Sequence, residues 1–289
     1  EIYITASGIF EIYLCKLLFG ISFSIEAHHP IIMMSLDSQR SSYQAKKNID
    51  KHYPESWSFN RHNERKPSLM VSSIEFFIYQ NAFQKARNVY VLSEFSKIEK
   101  SILYSVNSIV LHGAVTSMPT LFESIEAKIE DGIGPVKVIS ICRISPEKNL
   151  DVLIKSIVDL NAVNKNGYLL DIYGEGPDKG KLLKLVSQLN AHEFIKFGGF
   201  LPEEEFPQKI GEADIFVYIE YADYAITIFE AMCYGCQILC YKGCWIPEAL
   251  IPLTGIALVD IDTKNISDGI VKLSNNSLED RQKYMRETG

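Results

Sequence analysis

The chain has few cysteines, no long uninterrupted hydrophobic run and no excess of basic residues. Six cysteines in 289 residues are too few for the disulfide framework of a small secreted domain. The longest apolar stretch, residues 9–25, contains Glu11 and Lys16 and therefore does not fit a transmembrane helix. The 29 basic residues are outnumbered by 36 acidic ones, which argues against a general nucleic-acid binder.

The absence of a signal-peptide pattern at the start of the chain leads us to expect a cytoplasmic protein. Contact of residues 9–25 with the inner face of the membrane is an alternative, but burial as a helix and a strand is the simpler interpretation. Hydrophobic residues make up 47% of the chain and charged residues 22%, which is typical of a folded globular protein. The length suggests two domains.

The second half of the chain alternates regularly between short apolar runs and amphipathic segments. Strands are predicted at residues 136–141, 169–173, 194–197, 214–219, 237–240 and 255–259. Helices are predicted at residues 149–161, 177–189, from 202 onwards, and at 226–234. This alternation indicates βαβ units and a doubly wound parallel sheet. Ligands of such sheets bind beyond the carboxyl ends of the strands, so functional residues are expected there.

The first half is less regular. Strands are predicted at residues 21–25, 89–92 and 108–111, helices at 75–86 and 96–104, and a long loop at 37–66. Residues 130–135 contain two glycines and a proline and predict a linker. We therefore divide the chain into domains 1–133 and 134–289. Because it begins with Glu1 rather than Met, we expect part of the first domain to be missing.

Three groups of residues follow the predicted strands of the second half. Arg143 and Lys148 suit a diphosphate, although solvated loop charges explain them equally simply. Gly174 and Gly176 form a turn before a helix, which is either a phosphate-binding turn or an ordinary one. Glu230 lies in an apolar helix and needs hydrogen-bond donors, either the hydroxyls of a ribose or a structural partner.

Taken in order, these segments resemble the donor-binding domain of family-4 retaining glycosyltransferases (glycosyl transferases group 1). The resemblance spans residues 136–250, in the segments VKVISICRISPEKN, LLDIYGEGP, FIKFGGFLP, ADIFVYIE, ITIFEAMCYG and IPEAL. In the first half, CKLLFGISFSIEAHHP, ARNVYVLSEFSK and IVLHGAV resemble parts of the family's acceptor domain. The resemblance implies an α/β protein of the GT-B fold, with two Rossmann-like domains facing a cleft, the N-terminal one incomplete.

The resemblance also implies an activity. A hexosyltransferase-type enzyme of this family transfers a sugar, with retention of configuration, from a UDP- or GDP-sugar to a glycan, lipid or protein acceptor, for instance in polysaccharide biosynthesis. Arg143 and Lys148 match the basic pair that binds the donor diphosphate, so neither a metal nor a cofactor is expected. Glu230 matches the second glutamate of the family's Glu-x7-Glu motif, which holds the ribose. His28 matches a histidine of the family that faces the cleft.

The remaining matches concern the nucleotide. Gly174 and Gly176 match the family's G-x-G-P turn. The start of the helix that carries Glu230 matches a segment whose backbone amides face the phosphates, namely Ile226, Thr227 and Ile228. Residues 197–201 match the segment that lines the base pocket, which includes Phe197, Gly198 and Leu201.

Two departures favour alternatives. Ala222 replaces the first glutamate of the Glu-x7-Glu motif, and Cys142 replaces the glycine before Arg143. Asp223 or Glu220 could substitute for the missing carboxylate from a neighbouring position. A catalytically silent nucleotide-binding or scaffold subunit is a second interpretation, motivated by Ala222 and by the missing start of the first domain. An NAD-dependent dehydrogenase is a third interpretation, and the position of Gly174 and Gly176 in the chain disfavours it.

Two clusters favour structural roles. His28 and His29 form a pair that, taken alone, is more often a local polar cluster than a site. Four cysteines follow one another closely, at 233, 236, 240 and 244. Their spacing does not fit a zinc site, and we interpret them as small buried hydrophobic residues.

Overall fold

A computed structural model describes residues 2–5, 16–18, 20, 22–27, 69–112, 134–164, 167–220, 224–244, 246 and 250–288. The chain divides into two compact units, residues 1–113 and 114–289. This division differs from the predicted boundary after residue 133 only in residues 114–133, which lie outside the described ranges.

The first unit contains a parallel sheet in the order β1-β2-β3-β4. Its strands are β1 (Ile2–Thr5), β2 (Phe23–Ala27), β3 (Val89–Val91) and β4 (Ile109–Val110). Its helices are α1 (Leu69–Lys85) and α2 (Glu94–Tyr104). Sequence reasoning missed β1, since four residues at the start of the chain offer too little alternation to recognise a strand.

The described core of the first unit lies between this sheet and the helices α1 and α2. Phe23 and Ile25 of β2 are fully buried, so this part of the apolar stretch 9–25 is a buried strand, as predicted. The rings of Phe83 and Tyr104 stack with their centroids 4.5 Å apart and join α1 to α2. Among the described residues, no helix has the length and apolar character needed to cross a bilayer.

The second unit has the alternating pattern that the sequence predicts. Its strands are β5 (Val136–Ile141), β6 (Tyr168–Tyr173), β7 (Ile195–Gly199), β8 (Ile215–Tyr218), β9 (Gln237–Tyr241) and β10 (Ile256–Val259). Its helices are α3 (Leu150–Val163), α4 (Lys179–Gln188), α5 (Phe206–Gly211), α6 (Ile226–Cys233), α7 (Thr263–Ser274) and α8 (Leu278–Thr288). The strand β5 has the predicted ends, and the ends of the other predicted elements differ from these by a few residues.

The strand order of the second sheet is β10-β9-β8-β5-β6-β7, and all neighbours are parallel. The chain therefore moves outward from β5 to β7, returns to the other side of β5, and moves outward again from β8 to β10. The direction of winding reverses between β5 and β8. In a doubly wound sheet the segments after two such strands diverge and leave a crevice, the usual place for a ligand.

Both faces of the second sheet are covered, which explains why its strands are continuously apolar. Val138 belongs to a cluster packed on one face, and its neighbour Ile139 belongs to a cluster on the other. In the same way Leu239 and Ile238 of β9 face opposite sides. The α/β fold class is thus confirmed, with the core on both sides of a central parallel sheet.

Sequence reasoning missed the last two helices, α7 and α8. A start signal for α7 was present, because Asp262 precedes it and its carboxylate accepts the backbone N–H of Asn265 at 2.8 Å. The helix α8 is fixed to the sheet by Tyr284, whose buried hydroxyl donates to the carbonyl of Cys236 at 2.9 Å. Arg281 adds an ion pair of 2.9 Å with Asp214, just before β8.

One test of the fold concerns Asn161, which joins the end of α3 to the start of β6. Its buried amide donates to the carbonyl of Tyr168 at 2.9 Å and accepts the N–H of Tyr168 at 3.0 Å. In Asn161→Ala both backbone groups lose their partner, so we expect the free energy of unfolding to fall by about 1–3 kcal/mol in denaturant titrations. The exposed Asn275 offers the matched control: Asn275→Ala should change it by less than about 0.5 kcal/mol. Equal losses in the two variants would contradict this account.

Candidate functional site

The crevice between the carboxyl ends of β5 and β8 is bordered by oppositely charged segments. The segment after β5 carries Arg143 and Lys148, and the segment after β8 carries Glu220. Because β5 and β8 pair directly, their carboxyl ends lie side by side at one edge of the sheet. The strand order reverses between these two strands, and we call this place the reversal point. The contacts across it decide the chemistry of the site.

The segment after β5 is held in a fixed shape. Residues Pro146–Lys148 form a 3₁₀ turn, and Asn149 follows in the left-handed conformation, with φ of 53°. Its side-chain amide donates to the carbonyl of Ile219 at 2.8 Å, which joins the turn to the end of β8. Asparagine tolerates this backbone conformation better than most residues, so it suits this position. Arg143 lies before the turn and is exposed.

Lys148 reaches across the reversal point and forms an ion pair with Glu220. Both side chains are largely buried, with 18% and 10% of their surface exposed. The Lys148 ammonium also lies 6.0 Å from the centre of the Tyr218 ring. Coulomb interactions are strong in such a place because little water screens them. Sequence reasoning weighed Glu220 only as a substitute for a missing carboxylate and did not find this pairing.

Cys142 lies at the carboxyl end of β5, at the edge of the same cluster. Burial raises the pKa of its thiol to about 11, although the nearby Lys148 ammonium acts in the opposite direction. The thiol is therefore neutral near pH 7, and neutral thiols are poor nucleophiles. Cys142 accordingly contributes packing to the site rather than chemistry.

The two glycines after β6 permit a close approach between loops. A Cβ at Gly174 would overlap the carbonyl oxygen of Cys142, and one at Gly176 would overlap the carbonyl oxygen of Ile144. At the same place the N–H of Ile144 donates to the carbonyl of Glu175 at 2.9 Å. Gly174 also adopts φ of +129°, which side chains disfavour. The glycines thus hold the loop after β6 against the loop with Arg143.

The loop after β7 extends the same edge. The N–H of Gly174 donates to the carbonyl of Gly199 at 2.6 Å, so three successive loops are joined by their main chains. Phe197 packs partly against the core, whereas Gly198 is exposed and Leu201 is half-buried. Phe200 has 77% of its surface exposed and is the most accessible aromatic ring of this segment, although sequence reasoning did not single it out.

The helix α6 begins at the same edge, after β8. Its N-cap residue, Ala225, has no side chain that could accept a hydrogen bond from the first turn. Ile228 donates its N–H to the carbonyl of Ala225 at 3.0 Å, and its side chain is buried in the core. Of the three predicted backbone donors, Ile226 and Thr227 are therefore the two that the helix start can offer to a ligand.

Glu230 lies one turn further along α6 and is half-buried. Burial raises the pKa of its carboxyl group above the usual value, and the negative charge of Glu203 raises it further. Within the described ranges, its side chain makes neither a hydrogen bond nor an ion pair. The structural partner weighed in the sequence analysis is thus not found there, and the carboxylate can accept donors from a ligand.

Several predicted positions lie outside the described residues. They are His28, His29, Ala222 and Asp223. The others lie in or directly after the last residues of β5, β6, β7 and β8, or in α6, which follows β8. Their roles toward a ligand stay predictions.

Three of the four clustered cysteines, Cys236, Cys240 and Cys244, are buried as predicted, whereas Cys233 is half-buried. Cys236 is fully buried, and its thiol donates to the carbonyls of Ile210 and Ala213 at 3.1 and 3.3 Å. Burial raises the pKa of Cys240 to about 12. In the described part of the chain, no group of three or more histidine, cysteine or acidic side chains is arranged to hold a metal ion.

Comparison with protein families and curated sequences gives a consistent picture. A family model described as "Glycosyl transferases group 1" matches residues 122–289. The amylovoran biosynthesis glycosyltransferase AmsK of Erwinia amylovora is 26% identical over 146 residues, which cover 47% of this chain and 35% of AmsK. The "uncharacterized glycosyltransferase MJ1069" of Methanocaldococcus jannaschii is 26% identical over 195 residues, 61% of this chain and 49% of that protein. The chain thus spans half or less of these relatives' length.

Comparison with solved structures shows the fold. Anabaena Alr3699/HepE, solved in complex with UDP and glucose, has a TM-score of 0.68 at 13% identity, covering 99% of this chain and 71% of its own. The C-terminal domain of the group 1 glycosyl transferase LpcC from Francisella tularensis has a TM-score of 0.50 at 23% identity, covering 61% of this chain and 94% of its own. The likeness confirms the predicted GT-B type of α/β fold.

The close approach of the loops can be tested with two glycines of the same segment. In Gly176→Ala the new methyl group overlaps the backbone carbonyl oxygen of Ile144. We therefore expect the free energy of unfolding to fall by about 1–3 kcal/mol. Gly180 is exposed, lies in α4 and has open space around its Cα. Gly180→Ala should therefore be neutral or stabilising by about 0.4–1 kcal/mol. Thermal and denaturant unfolding would measure both, and equal effects would show that the loops have room to separate.

Proposed function

The chain belongs to the glycosyl transferases group 1 family, and from this premise we propose that it transfers a sugar from a nucleotide-diphosphate sugar to an acceptor. The observation that carries the proposal is the position of Arg143 and Lys148 at the reversal point between β5 and β8. Two cations beside the start of a helix without a side-chain cap suit a diphosphate. The solved neighbour in complex with UDP supports the same class of ligand.

In the proposed reaction the bond between the sugar and the diphosphate breaks, and negative charge accumulates on the leaving nucleoside diphosphate. The Lys148 ammonium and the Arg143 guanidinium oppose this charge, and the Ile226 and Thr227 amides add partial positive charge. Groups that are fixed before the reaction do this most effectively, because they need no rearrangement. The 3₁₀ turn and the Asn149 contact with Ile219 fix the backbone that carries Lys148, so only its side chain has to move toward a diphosphate.

The nucleoside would occupy the neighbouring part of the edge. Glu230 would accept hydrogen bonds from the ribose hydroxyls, which supplies the donors that its carboxylate lacks among the described residues. Residues 197–201, with the exposed ring of Phe200, would contact the base. No metal or further cofactor enters this proposal.

The proposal extends to the acceptor of the sugar and to the stereochemistry of the transfer. The relative AmsK acts in amylovoran biosynthesis, which supports a glycan or lipid-linked acceptor in polysaccharide biosynthesis. Retention of configuration and the participation of His28 follow from the resemblance to the family-4 enzymes. A catalytically silent nucleotide-binding subunit is the alternative, favoured by Ala222 at the position of the family's first glutamate. The two differ in turnover: only the enzyme releases UDP or GDP from a nucleotide sugar when an acceptor is present.

The first test is calorimetric titration of the chain with UDP, GDP and NAD. We expect saturable binding of UDP or GDP, weakened at least about tenfold in Arg143→Ala, because a charged hydrogen bond to phosphate is lost. Lys272 is exposed and lies in the last turn of α7, so Lys272→Ala is the charge-matched control and should leave affinity unchanged. Binding of NAD alone would overturn the proposal, and so would the absence of nucleotide binding.

A second test separates the ribose contact from the phosphate contact. If Glu230 accepts the ribose hydroxyls, the chain binds UDP more tightly than 2′-deoxy-UDP, by about tenfold. Glu230→Gln should reduce this ratio to about twofold or less, since a neutral amide oxygen is a weaker acceptor than a carboxylate.

Glu203 supplies the control for this test. It lies close enough to raise the pKa of Glu230, yet it is exposed. Glu203→Gln should therefore keep the preference for the ribonucleotide. An unchanged ratio in Glu230→Gln would place the ribose elsewhere. If GDP is the nucleotide that binds, GDP and 2′-deoxy-GDP replace the uridine pair.

A further inference from the structure

The ion pair between Lys148 and Glu220 is unexpected at a site proposed for a diphosphate. The same ammonium that would bind the donor already contacts a carboxylate, and both groups are largely buried. A diphosphate that approaches Lys148 must therefore displace this carboxylate or bind beside it. In either case two negative charges compete for one ammonium in a poorly screened place.

The ion pair is not needed to hold the two strand ends together. Asn149 already joins the turn after β5 to the end of β8, through its hydrogen bond to the carbonyl of Ile219. The backbones of β5 and β8 pair directly as well. Buried ion pairs are in general weak contributors to stability, since the cost of desolvation offsets the attraction. Stability therefore does not explain why Glu220 occupies this position, and we look for a functional role instead.

A second partner for the carboxylate lies next to it. Burial raises the pKa of the Tyr218 hydroxyl, and the nearby negative charge of Glu220 raises it further. The phenol is thus neutral, and its ring centre lies 6.0 Å from the same Lys148 ammonium that Glu220 contacts. When Lys148 turns toward another anion, the Tyr218 hydroxyl is the neighbouring donor from which Glu220 can accept. Two arrangements that differ in the partner of Lys148 are therefore open to the cluster.

We propose that Glu220 competes with the donor diphosphate for Lys148. In the empty site Glu220 neutralises the ammonium, and on binding the diphosphate takes its place while Tyr218 retains the carboxylate. The competition lowers the affinity of the site for nucleoside diphosphate and so favours release of the product after transfer. The inference rests on the proposed function, because it requires a diphosphate at Lys148.

The test compares nucleotide binding in variants that alter only this cluster, with whichever of UDP or GDP the unmodified chain binds. Glu220→Gln keeps the shape of the side chain and removes its charge, so we expect the Kd to fall about tenfold. Tyr218→Phe removes the second partner of Glu220 and should raise the Kd about threefold. Effects of opposite sign from two adjacent residues are not expected from general damage to the fold.

Two controls complete the design. Glu212 also pairs with a lysine, Lys209, but it precedes β8 rather than following it. Glu212→Gln changes the net charge equally and should leave the Kd within about twofold, since exposed charges are screened. In a Lys148→Met background the effect of Glu220→Gln should disappear, because there is no ammonium left to compete for.

The outcomes are distinguishable. Absence of UDP and GDP binding in the unmodified chain overturns the proposed function, and this inference with it. Nucleotide binding that Glu220→Gln weakens or leaves unchanged overturns the competition and leaves the proposed function standing. A tenfold gain that persists in Lys148→Met would mean that Glu220 repels the nucleotide directly, which also overturns the competition. A gain that requires Lys148 supports it.

Discussion

The reversal of the strand order between β5 and β8 is the constraint on which the second unit depends. It brings together two segments that are 72 positions apart in the chain at Lys148 and Glu220. It also sets the direction in which the loops after β6 and β7 extend, away from the helix α6 that follows β8. A basic loop, a glycine-containing loop and the start of a helix therefore border one crevice.

Much of this arrangement could be predicted from the sequence. The strand β5 has the predicted ends, because six residues rich in β-branched side chains are bounded by a linker and a charged loop. The placement of Arg143 after β5, of Gly174 after β6 and of Glu230 in the helix after β8 followed from the alternation of strands and helices. The contact between Lys148 and Glu220 could not be predicted, since periodicity gives the succession of elements and not which strands are neighbours. The helices α7 and α8 were missed for a different reason: their polar faces dominate their composition.

The site combines carboxylates in contrasting states. Glu220 is buried and holds a lysine, whereas Glu230 is half-buried and holds no described partner. The first makes the crevice less positive than its lysine and arginine suggest. The Glu230 carboxylate is partly removed from water, and no partner among the described residues offsets the cost of this desolvation. Stability alone would favour neither arrangement, and binding sites are where proteins retain such groups.

The main-chain contacts among the loops after β5, β6 and β7 have a consequence for how such a site can change. Their relative position depends on hydrogen bonds between Ile144 and Glu175 and between Gly174 and Gly199, and on two glycines without a Cβ. None of these contacts depends on which side chain stands at Arg143 or Phe200. Side chains at the exposed positions can therefore be exchanged while the backbone stays in place. The same framework can acquire a preference for a different ligand by few substitutions, whereas the glycines are fixed by geometry.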